Sequence, residues 1–91
     1  MGEASRQVEI VNKRGLHARA SARFVGAVAD MPGYQITVRK DGHSAAGGSI
    51  LGLMMLGAAK GDSVDIIVSG DTAEDRLAEL VAMVAGGFGE D

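Results

Sequence analysis

Arg14-Gly15-Leu16-His17-Ala18-Arg19 sets one histidine between two arginines, just before a stretch with helical spacing. A helix start offers unpaired backbone N–H groups and a partial positive charge. Such a place favours an anion, phosphate above all. Imidazole is a nucleophile when neutral, and with an ordinary pKa of about 6.5 most of it is neutral at pH 7. His17 is therefore the leading candidate for chemistry: covalent uptake of a phosphoryl group, with the backbone N–H groups of Ala18 and Arg19 to receive its oxygens. Arg19 carries a planar fork suited to phosphate. Arg14 and Arg23 either add positive charge nearby or are simply solvated. The helix dipole acts on the ring with only ~0.3–1 kcal/mol. That is under about tenfold in rate, so the site tunes a nucleophile and leaves most of the catalysis to partner enzymes.

A second constellation begins at Gly48-Ser49. Serine is a good helix cap, and Gly57 fits the end of a short helix. Ile50, Leu51, Met54 and Met55 are too many apolar residues for that helix to bury on one side. We expect Leu53 and Leu56 to face inward and the other four to form an exposed docking patch, for which methionine is well suited. The plainer alternative buries all four. His43 follows an Asp41-Gly42 turn with no second ligand at metal spacing, and reads as an exposed, inert side chain.

The chain has 91 residues, of which 46% are apolar and 3% aromatic, with no cysteine, two histidines and a net charge of −3. That length supports one small domain, residues 1–91, with no room for a deep pocket beside its core. Without cysteine there is no disulfide framework or thiolate metal site. A nucleotide-binding loop of the Walker type and a carboxylate set for a metal are also missing, so we expect no cofactor. The acidic balance and scarce aromatics argue against nucleic acid as a partner. No apolar run approaches the ~18 residues of a membrane span, and the polar start is unlike a signal peptide. A cytoplasmic protein without membrane insertion is expected. Charge is uneven: Arg6, Lys13, Arg14, Arg19 and Arg23 make a basic pole around His17, and the last third is acidic.

The elements that must position these residues follow from periodicity. Gln7–Val11 alternates as a strand. From Ala18 a helix is expected with Ala18, Ala22, Val25 and Ala29 on its apolar face, ended by Met31-Pro32-Gly33. Tyr34, Ile36 and Val38 mark a second strand, Asp41-Gly42 a hairpin turn, and His43–Gly47 a weak third strand. After the helix at Ser49, Val64, Ile66 and Val68 alternate in a fourth strand. Asp71-Thr72-Ala73-Glu74 suggests a capping box for a last helix that buries Leu77, Leu80, Val81 and Val84. The ordered core should span about 6–85, with the tail 86–91 fraying. The order β-α-β-β-α-β-α with half-apolar strands implies a two-layer α+β architecture, helices on one face of a sheet.

Gly15-Leu16-His17-Ala18-Arg19, then Gly48-Ser49-Ile50-Leu51-Gly52-Leu53-Met54-Met55-Leu56-Gly57, then Lys60-Gly61-Asp62, together resemble HPr. This is the histidine phosphocarrier family of the bacterial phosphoenolpyruvate-dependent phosphotransferase system. The resemblance runs from Val8 to about Val84. It implies an open-faced β-sandwich, a four-stranded antiparallel sheet in order 1-4-2-3 with three helices on one side. It further implies that His17 accepts phosphate on Nδ1 from enzyme I and passes it to IIA proteins or domains, with Arg19 beside the phosphoryl group. Ser49 matches the serine that an ATP-dependent HPr kinase/phosphatase modifies for regulation. Ile50, Leu51, Met54, Met55 and Arg23 would dock partners, and the chain is expected to act as a monomer. Two positions depart from the family: Ala20 stands where proline is common, and Gly48 where lysine is common. An alternative function is a regulatory module of a nitrogen- or carbon-sensing branch, acting by binding alone.

Overall fold

The computed structural model describes residues 2–90. Its elements are β1 (Gly2–Glu9), α1 (Ala18–Ala29), β2 (Gln35–Lys40), β3 (His43–Ala46), α2 (Ile50–Met55), β4 (Ser63–Gly70) and α3 (Ala73–Ala85). A single turn over Gly87–Gly89 follows. The strands form one antiparallel sheet in the order β1-β4-β2-β3, as expected. Register explains the two layers. Val8 pairs with Val64, Val38 with Ile66 and Ile36 with Val68, which puts the apolar residues of three strands on one face. Phe24 of α1, Leu53 of α2, and Leu77, Leu80 and Val84 of α3 complete a continuous core over that face. No helix among the described residues is long and apolar enough to cross a membrane.

The Asp41-Gly42 turn forms as expected, with both residues at positive φ and Lys40 paired with His43 across it. Four expectations are corrected. First, β1 begins at Gly2 and ends at Glu9, because the polar residues Gly2–Arg6 pair along Ile66–Gly70. A backbone ladder needs no apolar alternation to form. Second, α1 is rotated from the expected face. Ala20, Ser21 and Phe24 are its buried residues, while Ala18, Ala22 and Ala29 are exposed. The large ring of Phe24 sets the phase, since its burial outweighs that of three methyl groups.

Third, no capping box starts α3. Thr72 has a left-handed backbone and makes no cap, its hydroxyl donating to the Asp71 carbonyl at 2.7 Å. Fourth, within the segment expected to fray, Gly87 and Phe88 are buried instead, while Asp91 lies outside the described residues. Phe88 is 4% exposed although its backbone sits at φ 59. Such a conformation is costly for a bulky residue and persists where burial over-determines it. The glycines on either side, Gly87 and Gly89, share the positive φ and make the turn practicable.

The loop between β1 and α1 is the part of the fold that delivers the candidate site. Ile10 continues the sheet by donating to the Asp62 carbonyl at 2.8 Å, and Gly61 donates back to Ile10. The chain then turns at Asn12–Gly15 and Leu16 donates to the Ala58 carbonyl at 3.0 Å. Gly15 has φ +62, and a Cβ there would lie 2.2 Å from the Ala58 oxygen. No side chain fits without moving one strand of backbone off the other. Gly15→Ala should therefore destabilise by more than the ~1–2 kcal/mol that a left-handed alanine costs by itself. Gly33→Ala, at φ +86 with open space around it, supplies that backbone cost alone. Equal losses for the two variants in thermal denaturation would contradict the close approach.

Candidate functional site

His17 is the N-cap residue of α1, with extended backbone and a side chain that accepts from the Arg19 N–H. Nδ1 takes that contact at 3.3 Å. The other ring nitrogen, Nε2, meets Oε2 of Glu90 at 2.8 Å. The two contacts select one neutral tautomer. A carboxylate only accepts, so Nε2 carries the hydrogen; Nδ1 faces a donor, so it carries the lone pair. The nucleophilic nitrogen is thus Nδ1, at the mouth of the first helical turn. That turn holds no acidic residue to compete for its N–H groups.

Lys13, Arg14, Arg19 and Arg23 line a cleft of about 320 Å³ with His17, Gly89 and Glu90. Four cations and one carboxylate therefore surround the ring. Arg6, expected in the same basic pole, is placed on β1 opposite Ile66 and does not line the cleft. Arg23 lines the cleft, and its guanidinium donates to the carbonyl of Phe88. Among the described residues no group of three or more His, Cys, Asp or Glu side chains is placed to hold a metal.

Three residues of the site were missed by sequence reasoning. Asn12 is 2% exposed and its Nδ2 donates both to the Gly15 carbonyl at 2.8 Å and to Oε1 of Glu90 at 3.0 Å. Ser21 is fully buried and its hydroxyl donates to the Leu16 carbonyl at 3.2 Å, tying α1 to the loop. Glu90 was counted only as part of an acidic tail. Its one legible signal was Phe88, a rare aromatic between two glycines in a segment otherwise read as loose.

The second constellation forms as expected. Ser49 caps α2 by accepting from the Gly52 N–H at 3.0 Å. Leu53 is fully buried and Leu56 packs against the core. Leu51 and Met55 are 68% and 78% exposed, and Ile50 and Met54 are exposed as well. The alternative that buries all four is excluded. His43 is exposed at the start of β3.

Residues 4–86 match the family model described as the PTS HPr component phosphorylation site. The chain belongs to the HPr family of phosphotransferase-system phosphocarriers. It is 39% identical over 83 residues to the phosphocarrier protein HPr of Neisseria meningitidis, covering 91% of this chain and 92% of that one. It is 32% identical over 84 residues to the phosphocarrier protein NPr of Escherichia coli, covering 92% and 93%. Among solved structures, HPr-C-His from Thermoanaerobacter tengcongensis superposes with a TM-score of 0.86 at 38% identity, covering 100% and 99% of the two chains. The sheet order and helix number of this HPr chain agree with that likeness.

Burial pushes the Glu90 carboxyl up, but hydrogen bonds from Asn12 and His17 and the positive charge of Arg23 outweigh it and hold the group low. A carboxyl held low by folding adds stability that is full above its ordinary value of 4.5 and is lost as pH falls through its lower folded value. The tail should therefore stay docked at neutral pH and release in acid before the core does. Ring resonances of Phe88 followed through an acid titration check this. In Glu90→Gln the separate low-pH step should vanish; a step that persists there contradicts the assignment to Glu90.

Proposed function

We propose that this HPr-family chain accepts a phosphoryl group on Nδ1 of His17 from phosphorylated enzyme I and passes it to IIA proteins. The observation that carries the reading is the lone pair of Nδ1 at the N-terminus of α1, inside a cleft lined by four cations. In the forward step the Nδ1 lone pair forms a bond to phosphorus as the donor's bond to phosphorus breaks. The bonding pair leaves with the donor. Arg19 and the N–H groups of Ala18 and Arg19 receive the phosphoryl oxygens, where a helix start favours negative charge. The second transfer reverses this, returning the electron pair to Nδ1.

In this reading the protein is a carrier rather than an enzyme, working in the cytoplasm as a monomer. Ile50, Leu51, Met54 and Met55 dock enzyme I and the IIA proteins, with Arg23 at the edge of that surface. Ser49 is the regulatory acceptor for an ATP-dependent HPr kinase/phosphatase. Its position as a helix cap supports this, because phosphate at a helix start does not melt the helix. The mark acts by placing charge beside the docking patch. Likeness to NPr supports a second reading, a regulatory branch tied to nitrogen or carbon status that acts through binding.

Incubation with phosphoenolpyruvate and enzyme I, followed by mass spectrometry at neutral pH and after acid, tests the carrier. We expect one acid-labile phosphate on the wild type and none on His17→Ala; a fully phosphorylated His17→Ala sinks the proposal. Ser49→Asp should weaken binding to enzyme I while leaving the melting temperature nearly unchanged, because aspartate caps a helix about as well as serine. Isothermal titration and thermal melts read the two quantities, and a large fall in melting temperature would count against regulation by charge on the docking surface.

A further inference from the structure

We infer that Met54 and Met55 are a reversible oxidation site, where a peroxide acting on the thioether sulfurs turns off docking at the α2 patch. The inference rests on the docking role proposed above for that patch. The chain has no cysteine, so methionine supplies its only sulfur and no thiol competes for a mild oxidant. Among the described residues the methionines are unequal. Met55 is 78% exposed and Met54 40%, whereas Met31 is 5% exposed in the core and Met83 is packed against it. Oxidation of sulfur needs access, so the two on α2 are reached first.

Their place on the helix gives the modification its consequence. Residues four apart on a helix lie on the same face, one above the other. Met54 therefore follows Ile50 and Met55 follows Leu51, and these exposed side chains make two adjacent apolar ridges. No charged residue interrupts them, since α2 reads Ile-Leu-Gly-Leu-Met-Met throughout. A sulfoxide makes the end of a ridge polar and adds a hydrogen-bond acceptor, which an apolar partner surface would have to strip of water. The fold does not depend on these sulfurs. Leu53 is the buried residue of α2 and holds the helix to the core. The change is thus confined to docking, at the opposite end of the helix from the Ser49 cap.

The chemistry balances with peroxide as the oxidant. A sulfur lone pair attacks one peroxide oxygen, an S–O bond forms and the O–O bond breaks. The departing hydroxide takes the hydrogen of the transferred oxygen and leaves as water. Sulfur loses two electrons and the peroxide gains them. Two thiols reverse the step: they become one disulfide, and the sulfoxide oxygen leaves as water. Neither direction involves His17.

The test treats the full chain with dilute hydrogen peroxide, removes the peroxide and locates the added oxygen by peptide mass spectrometry. Binding to enzyme I is then measured by isothermal titration. Met55 and Met54 should be oxidised well before Met31. Binding should weaken about tenfold, the loss expected when a side chain buried in an interface turns polar. The melting temperature should be unchanged, as should phosphorylation of His17 by phosphoramidate, a small donor that needs no partner. A methionine sulfoxide reductase with dithiothreitol should restore binding. Met54→Leu/Met55→Leu keeps the apolar volume without the sulfur, so treated and untreated samples of that double variant should bind alike. Sulfoxide at both positions with unchanged binding overturns the proposal, and so does a peroxide-induced loss that persists in the double variant. Leu51→Asp separates this proposal from the docking reading. If it leaves binding intact, the patch is not the docking surface and both fall. If it weakens binding while the sulfoxides do not, the oxidation site alone falls.

Discussion

At Gly15 the backbone passes so near Ala58 and Ala59 that one added methyl group would collide with both. This close approach organises the rest. It lets Leu16 donate to the Ala58 carbonyl, which fixes the last turn of chain before His17. Ser21 secures the same segment from the helix side through the Leu16 carbonyl, and Asn12 secures it through the Gly15 carbonyl. With both flanks tied, His17 has little choice but to cap α1. The same contact links the two working surfaces. Ala58 lies three residues beyond Met55, so the apolar patch of α2 ends next to the loop that carries the histidine.

Once the ring is placed, electrostatics decides what it can do. Four cations lining the cleft around the ring make a good site for a phosphoryl group. One carboxylate set on Nε2 offsets part of that charge without occupying the nucleophilic side. The arrangement depends on the tail, and the tail depends on Phe88. Its ring pays for a left-handed backbone by leaving water, and the glycines beside it make that turn feasible.

The divisions between what was legible and what was not have physical causes. The strands at Ile36–Val38 and Val64–Val68, the hairpin at Asp41-Gly42 and the short helix after Ser49 each carry a local signal, and each is present. The place of His17 at the start of α1 and the split between Leu53 and the exposed Leu51 and Met55 were legible too, because short motifs and helical spacing are local properties. The face of α1 was misjudged because small alanines give a weak periodicity that one phenylalanine overrides. Asn12 and Glu90 are 78 residues apart, and nothing local tells either of the other. A glutamate in an acidic tail looks like a solvated charge until a turn carries it into a basic cleft.

A carrier must also let go, and the site is built with that in mind. Its cations line an open cleft, where water and salt screen each one, so none holds the phosphoryl oxygens strongly. The covalent bond keeps the group attached; the cradle only balances its charge. Tight binding in the resting carrier would deepen the ground state and slow release by the same amount. In the proposed docking a partner on the α2 patch would sit beside the loop before His17 and would expel water from the cleft, where the same cations would act in a lower dielectric and each be worth more. On that reading the protein carries its electrostatics ready-made but at low strength, and docking would bring them to the strength that transfer requires.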